Sequence, residues 1–455
     1  MISEMIFILF FLLAMMRFVS SATAQNTNSL ASGPAKESPA REISLKTVAE
    51  SQDINYRTLN PDPIQGDTPD TALFDINSLI NNTPVYNPSM LLILQSMLDN
   101  HEILLEYFPL DTIIYIIAIT NECTGIYSTL PGESFWPEVQ DLLRKTKLAE
   151  INNSHAQSVK ISHVLLDPVA DKLKEKPRVI IVAHNSLNGF PFEILYFAFP
   201  NLVSQEKKNY HYLVEGHQVV YSPSIPRWMS TRYLSKLRKE RSRQDRYLEF
   251  VGFSPGFKAH DGVQCLMESD DEVHRIGRMF EEKGMAPMIL TDENSNEHNF
   301  RSVAQYSKII HLATHSLSDD ENPEMNGLLF WEFGTGPGAG NQDDGILEVH
   351  EICKLNIPAE LIVLNSCASA SIKSRNNMKW YSSADCFFKA GAKNILCTLW
   401  NVTDRFAQKF MVEFYRNYLS GMSFSLALQK VKIRMIGEPS TSLPINWAAY
   451  VLIGE

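Results

Sequence analysis

From about residue 90 onward the chain alternates short, uninterrupted apolar runs with longer stretches in which apolar residues recur at helical spacing. The runs are rich in branched and aromatic residues: Thr112–Thr120, Pro177–Ala183, Tyr247–Phe253, Met288–Leu290, Ile309–His315, Leu361–Cys367, Asn394–Leu399 and Ala448–Ile453. Such content predicts strands. Because the runs do not alternate apolar with polar positions, they predict strands covered on both faces, as in parallel sheets. Between them, Met90–Glu106, Glu268–Glu282, Asp344–Lys354, Ser382–Ala390, Asp404–Leu419 and Phe424–Ile436 carry the helical period. Gly391 is placed to close the fourth of these as a C-cap. Strands alternating with helices predict an α/β fold, a mostly parallel sheet with helices on both faces.

Before residue 90 the pattern fails. Gln25 to about Met90 is rich in Ser, Asn, Thr, Pro and Asp without periodicity, which predicts a disordered spacer over 25–90. Ahead of it, Met5–Met16 is wholly apolar and Ala22-Thr23-Ala24 offers a small-residue cleavage site. Residues 1–24 therefore read as a signal peptide or amino-terminal anchor. The protein would then be exported or membrane-associated, and otherwise cytoplasmic. Glu4, with no Lys or Arg beside it, leaves a start codon placed too early as an alternative.

The 455 residues suggest two or three units, and the expected division is 91–246 and 247–455. Basic residues from Arg232 through Arg238, Lys239, Arg241 and Arg243 to Arg246 mark the junction, read as a solvated helix or exposed connection. A net charge of −11 argues against nucleic-acid binding, which needs a basic surface. His184 ends the strand Pro177–Ala183 much as His315 ends a later one. No cysteine-bearing strand follows His184 before Cys265, so the first unit reads as a degenerate, non-catalytic copy.

Candidate chemistry gathers between Lys308 and Ala370. One apolar run leads to His315 and another to Cys367. If their strands are parallel neighbours, both residues reach the carboxyl end of the sheet, where open α/β folds place their sites. An imidazole there can take the thiol proton and leave a thiolate nucleophile. The separation, 367 − 315 = 52, matches a caspase-type spacing of about 50. The six cysteines show no CxxC or Cys/His ligand spacing, which argues against structural zinc. One or two disulfides and buried thiols at Cys353, Cys386 and Cys397 are equally compatible with their contexts. The glycines of Gly334–Gly345 do not follow phosphate-loop geometry and predict a mobile loop near the site. No cofactor is expected.

On these motifs the chain resembles the CHAT family of caspase-like proteins, related to separases. They are Leu187-Asn188-Gly189-Phe190-Pro191-Phe192-Glu193, Tyr221-Ser222-Pro223-Ser224, His311-Leu312-Ala313-Thr314-His315, Leu364-Asn365-Ser366-Cys367, Ala390-Gly391-Ala392-Lys393, Leu399-Trp400-Asn401-Val402-Thr403-Asp404, and the run from Trp447 to Gly454. The resemblance implies two caspase-like units, degenerate then catalytic, and a cysteine endopeptidase cleaving a partner protein, with a regulatory partner possible. It implies His315 as base, Cys367 as nucleophile, and the backbone N–H groups of Ser316 and Cys367 as the oxyanion hole. His311, inside the strand, is expected to be structural. The family has Gly after the histidine where Ser316 stands. Were a positive φ required there, serine would cost about 1–3 kcal/mol. Asp404 either caps the following helix or lines the pocket for the residue before the cut, as the separase resemblance implies. A CHAT scaffold without turnover is the alternative reading.

Overall fold

The computed structural model describes residues 86–110, 112–150, 154–198, 210–241, 248–257, 268–317, 326–331, 343–365 and 380–455. The expected signal peptide, most of the expected spacer, Cys265, the greater part of the loop expected over Gly334–Gly345, and Cys367 lie outside the described residues. In chain order the elements are α1 (Pro88–Met97), β1 (Glu102–Pro109), β2 (Ile114–Ile119), β3 (Thr124–Thr129), α2 (Phe135–Lys147), α3 (Ser154–Leu165), α4 (Ala170–Leu173) and β4 (Arg178–Ala183). Next come β5 (Tyr196–Ala198), β6 (Tyr210–Tyr212), α5 (Leu213–Gly216), β7 (Gln218–Tyr221), α6 (Ile225–Arg241), β8 (Val251–Ser254), α7 (Ser269–Glu281), β9 (Met288–Thr291), α8 (Glu297–Ala304) and β10 (Ile309–Leu312). The chain continues through β11 (Ser316–Leu317), β12 (Gly327–Leu329), β13 (Ile346–Glu348), α9 (Val349–Ile352), β14 (Leu361–Leu364), α10 (Trp380–Ala390) and β15 (Ile395–Thr398). It closes with α11 (Asp404–Leu419), α12 (Phe424–Gly437), α13 (Pro444–Trp447) and β16 (Tyr450–Ile453).

Eleven of these strands form one sheet in the order β3-β2-β1-β4-β7-β16-β15-β14-β10-β8-β9. Pairing is parallel from β1 through β4 and β7 to β16, and again from β15 through β14, β10 and β8 to β9. The sense reverses where β16 meets β15, from Ile395 opposite Ile453 to Thr398 opposite Tyr450. The stretches 91–246 and 247–455 thus contribute strands to one sheet, and β16 is the strand between them. Burial explains the unbroken apolar runs: Val179, Ile180, Ile181 and Val182 of β4 are all fully buried, on alternate faces. Each such side chain contributes roughly 1.5–3 kcal/mol relative to an exposed position, so a polar residue on either face would cost stability. One face of β1 and β4 packs under α1 and α6 around Leu94, Leu104, Ile180 and Trp228. The larger core includes the other face of the same strands and continues to β8, β10 and β14. Among the described residues no helix is long and apolar enough to cross a membrane.

Three expectations require correction. The helix expected to run to Glu106 stops at Met97, because Leu98 is extended and the Glu102 carboxylate accepts from Asp99 N–H, turning the chain into β1. Asp344–Lys354 begins as strand β13, paired with β12. Only then does it turn helical, opened by a capping box in which Glu348 and Glu351 each accept from the other's backbone. Arg232 is not a solvated residue of the basic stretch: it is buried on α6, with Nη2 2.7 Å from Asp99 and 2.8 Å from Glu102. The cysteine question also resolves: Cys353, capping α9, is bonded to Cys386 of α10.

Candidate functional site

The site is built where β10, β14 and β15 end. Ile309 to Leu312 face Leu361 to Leu364 in parallel register, and Ile362 to Leu364 face Ile395 to Cys397. Their carboxyl ends lie together, and the expected site residues His315 and Cys367 each stand three positions after the last residue of β10 and β14. After β10, Ala313 N–H donates to Phe253 O at 2.9 Å, and the Thr314 hydroxyl donates to Leu329 O at 2.5 Å. These bonds fix the turn that presents half-buried His315, whose ring lies 5.6 Å from that of Phe257 and whose carbonyl accepts from Leu329 N–H. Ser316 then pairs with Leu328. The described non-glycine residues with positive φ are Ala149, Asn185 and Asp292, so Ser316 occupies its place without left-handed backbone strain. The segment joining β10 to β14 is not a plain helix but the β11-β12-β13 hairpin sheet followed by α9.

On β14, Asn365 N–H donates to Leu312 O at 3.0 Å, tying the chain two residues before Cys367 to the strand three residues before His315. Ser366 and Cys367 themselves, including the expected oxyanion-hole N–H of Cys367, lie outside the described residues. Cys397 of β15 is no alternative nucleophile, because complete burial pushes its thiol up to about 12 and leaves it protonated at neutral pH. Cys353 and Cys386 are consumed by their disulfide.

Beneath the site is a buried polar network that the apolar pattern did not reveal. Glu272 of α7 accepts at Oε1 from both His311 Nε2 at 2.8 Å and Asn365 Nδ2 at 2.7 Å. His311 Nδ1 lies 3.1 Å from the Tyr415 hydroxyl of α11. Burial first, then the Glu272 charge, drives Tyr415 well above the usual phenol range, so its hydroxyl is a donor. His311 is fully buried and held on both ring nitrogens, in accord with its expected structural role. The signal for Glu272 was its helical phase: it shares the buried side of α7 with Val273 and Ile276.

Asp404 is the first residue of α11, half-buried, and the cap is Thr403, whose carbonyl accepts from Phe406 and Ala407 N–H. The cap position expected at Asp404 thus falls one residue earlier, and the Thr403 side chain makes no capping bond. One turn on, Gln408 Nε2 donates to Asp271 Oδ2 at 2.9 Å and Glu268 Oε2 at 3.2 Å, which sets the first turns of α7 and α11 side by side. Gly256, at φ +61°, passes so close to Asp292 that a Cβ would stand 2.5 Å from Oδ1. Carboxylates at 268, 270, 271, 292 and 404 thus follow the strand ends or open the helices there. Among the described residues no group of three or more His, Cys, Asp or Glu side chains could hold a metal.

His184, the echo of His315, lies elsewhere. Four strands separate β4 from β10, and β4 runs in the opposite sense. Its Nε2 is 2.9 Å from Glu106 Oε1, and its ring stacks on Phe108. Burial raises the Glu106 carboxyl, partly opposed by the hydrogen bond from His184.

A CHAT domain model matches residues 156–455. Tetratricopeptide repeat protein 28 from Homo sapiens is 23% identical over 311 residues, covering 61% of this chain and 12% of its own. Its Mus musculus counterpart is 28% identical over 111 residues, covering 24% and 4%. The chain therefore spans a small part of these relatives. Among solved structures, the Saccharomyces cerevisiae separase–securin complex superposes with a TM-score of 0.50 at 12% identity, over 80% of this chain and 30% of that one. At that identity the likeness speaks for the fold.

Proposed function

Since the chain belongs to the CHAT domain family and has a separase-like fold, we propose that it is a caspase-like cysteine endopeptidase acting on a protein substrate. The observation that carries this reading is the parallel β10–β14 pairing, sealed by the Asn365 N–H to Leu312 O bond. It sets the residues leading to His315 and to Cys367 side by side. In the proposed reaction His315 accepts the Cys367 thiol proton, and the thiolate attacks the scissile carbonyl carbon. The N–H groups of Ser316 and Cys367 receive the oxyanion. His315 returns its proton to the departing amine, and water, deprotonated by the same imidazole, releases the acyl group from sulfur. Ser316 supports this assignment by occupying its extended position without strain.

The proposed preference is Arg or Lys before the cut. Asp404 opens α11 after the end of β15, and one turn on Gln408 bonds Asp271 and Glu268 at the start of α7; a carboxylate binds guanidinium or ammonium through charge-assisted hydrogen bonds. The first stretch, 91–246, is the non-catalytic unit in this reading, and 247–455 the catalytic one. Separase was solved with securin, and by analogy a regulatory protein partner is proposed here. The Cys353–Cys386 disulfide supports an oxidising compartment and hence export through residues 1–24.

The test is cleavage of fluorogenic tetrapeptides by the full chain and its variants. Cys367→Ala and His315→Ala should each abolish cleavage, and the double variant should be no slower than either, because the pair acts as a unit. Asp404→Ala should lose preference for Arg and Lys while cleavage persists. Cleavage after Asp, or an undiminished basic preference in Asp404→Ala, contradicts the pocket assignment. Cleavage retained by Cys367→Ala contradicts the mechanism.

A further inference from the structure

The turn to His315 is held by the Ala313 N–H and the Thr314 hydroxyl, whereas Asn365, two residues before Cys367, is also held by a side-chain network that belongs to no catalytic step. We infer that Glu272, acting through Asn365, is a positioning residue that sets the direction in which the chain leaves β14 toward Cys367. This rests on the cysteine-peptidase reading above. The geometry is specific. A single carboxylate oxygen receives Asn365 Nδ2–H at 2.7 Å and His311 Nε2–H at 2.8 Å. A carboxylate only accepts, so the Asn365 amide must turn its nitrogen inward and His311 must carry its proton on Nε2. The Tyr415 hydroxyl then donates to Nδ1, completing a chain from α11 through β10 and α7 to β14.

Glu272 and His311 are almost wholly buried, and among the described residues His311 is the one ionisable side chain at salt-bridge distance from Glu272. Such a carboxylate is costly to bury unless its hydrogen bonds are made, so Asn365 has a strong reason to keep one rotamer. Its main chain is held as well, by Leu312 O at 3.0 Å. Asn365 is thus pinned at backbone and side chain in the residue before Ser366 and Cys367. With Glu272 removed, the main-chain bond of Asn365 persists while its side chain is free to turn. Misplacement of reacting groups by about 1 Å can cost roughly a hundredfold in rate.

The experiment measures kcat and KM on the best fluorogenic peptide, with active sites titrated by a covalent inhibitor so that unfolded protein is not counted. Glu272→Ala and the milder Asn365→Ala should lower kcat per titrated site about 10- to 100-fold with KM within about twofold. Glu272→Gln keeps an acceptor oxygen for both donors and should retain at least about a third of wild-type kcat. Wild-type kcat per site in Glu272→Ala or Asn365→Ala, or equal losses in Glu272→Ala and Glu272→Gln, would overturn the assignment. Should the wild type show no turnover, the peptidase reading fails separately, and iodoacetamide alkylation of Cys367, followed by mass spectrometry, decides the inference. Positioning then requires that rate to change at least about threefold in Asn365→Ala with Cys123 alkylation unchanged. An unaltered Cys367 rate would overturn it.

Discussion

Two buried carboxylates show how strongly single residues are constrained here. Glu193, within the Phe190–Glu193 motif, lies 2.7 Å from Lys432 Nζ of α12, and the Tyr221 hydroxyl donates to its other oxygen. Glu193 and Lys432 are each about 1% exposed, and burial lowers the Lys432 pKa against the pull of Glu193. Removing one partner strands the other charge, so Lys432→Met should cost about 3–5 kcal/mol, whereas Lys432→Met with Glu193→Gln should recover most of it. Denaturant midpoints read the difference, and a double variant as unstable as the single one would refute the pairing argument. The motif residues were legible in the sequence, but their partner lies 432 − 193 = 239 positions away on an amphipathic helix. No local pattern exposes a lysine that is buried. The same holds for Glu272, Asn365 and His311, which only the packing of α7 against the β10–β14 pair brings together.

Elements were most readable where burial is uniform and least where a turn or pairing overrides the local period. The run at Asn394–Leu399 became β15 nearly residue for residue, whereas the strand expected to reach His315 ends as β10 at Leu312, where Ala313 and Thr314 turn the chain, and β14 ends at Leu364. Asp344–Lys354 misled because β12 offers Ile346–Glu348 a ladder that helical propensity cannot match. The join between α8 and β13 also carries a pH dependence. Glu297 of α8 accepts from Gly345 N–H at 2.7 Å and pairs with Arg301. Burial outweighs both and pushes its carboxyl up to about 7 from 4.5. A raised carboxyl pKa favours the protonated folded state, so its stabilising contribution is full below about pH 4.5 and fades as pH rises through 7, by about 3 kcal/mol at most. The melting temperature of Glu297→Gln relative to wild type should therefore rise across that window. A difference flat with pH, or falling, would show that Arg301 rather than burial governs the group.

At the scale of the molecule, the strand-and-helix rhythm was sufficient for the α/β class and the mostly parallel sheet, because buried parallel strands announce themselves by composition. The single eleven-stranded sheet was not legible: it depends on β16, from the end of the chain, pairing with both β15 and β7. Nor could spacing say that His184 and His315 end strands of opposite sense. What the topology does for function is to bring the routes to His315, Cys367 and Asp404 to one side of the sheet. The most direct test of that arrangement is covalent labelling of the intact chain by a peptidyl acyloxymethyl ketone carrying Arg next to the warhead, with the adduct located by mass spectrometry. A stoichiometric adduct on Cys367, absent in Cys367→Ala and strongly slowed in His315→Ala, is the expected result. No adduct on Cys367, or equal labelling when His315 is replaced, would contradict the His315–Cys367 pair.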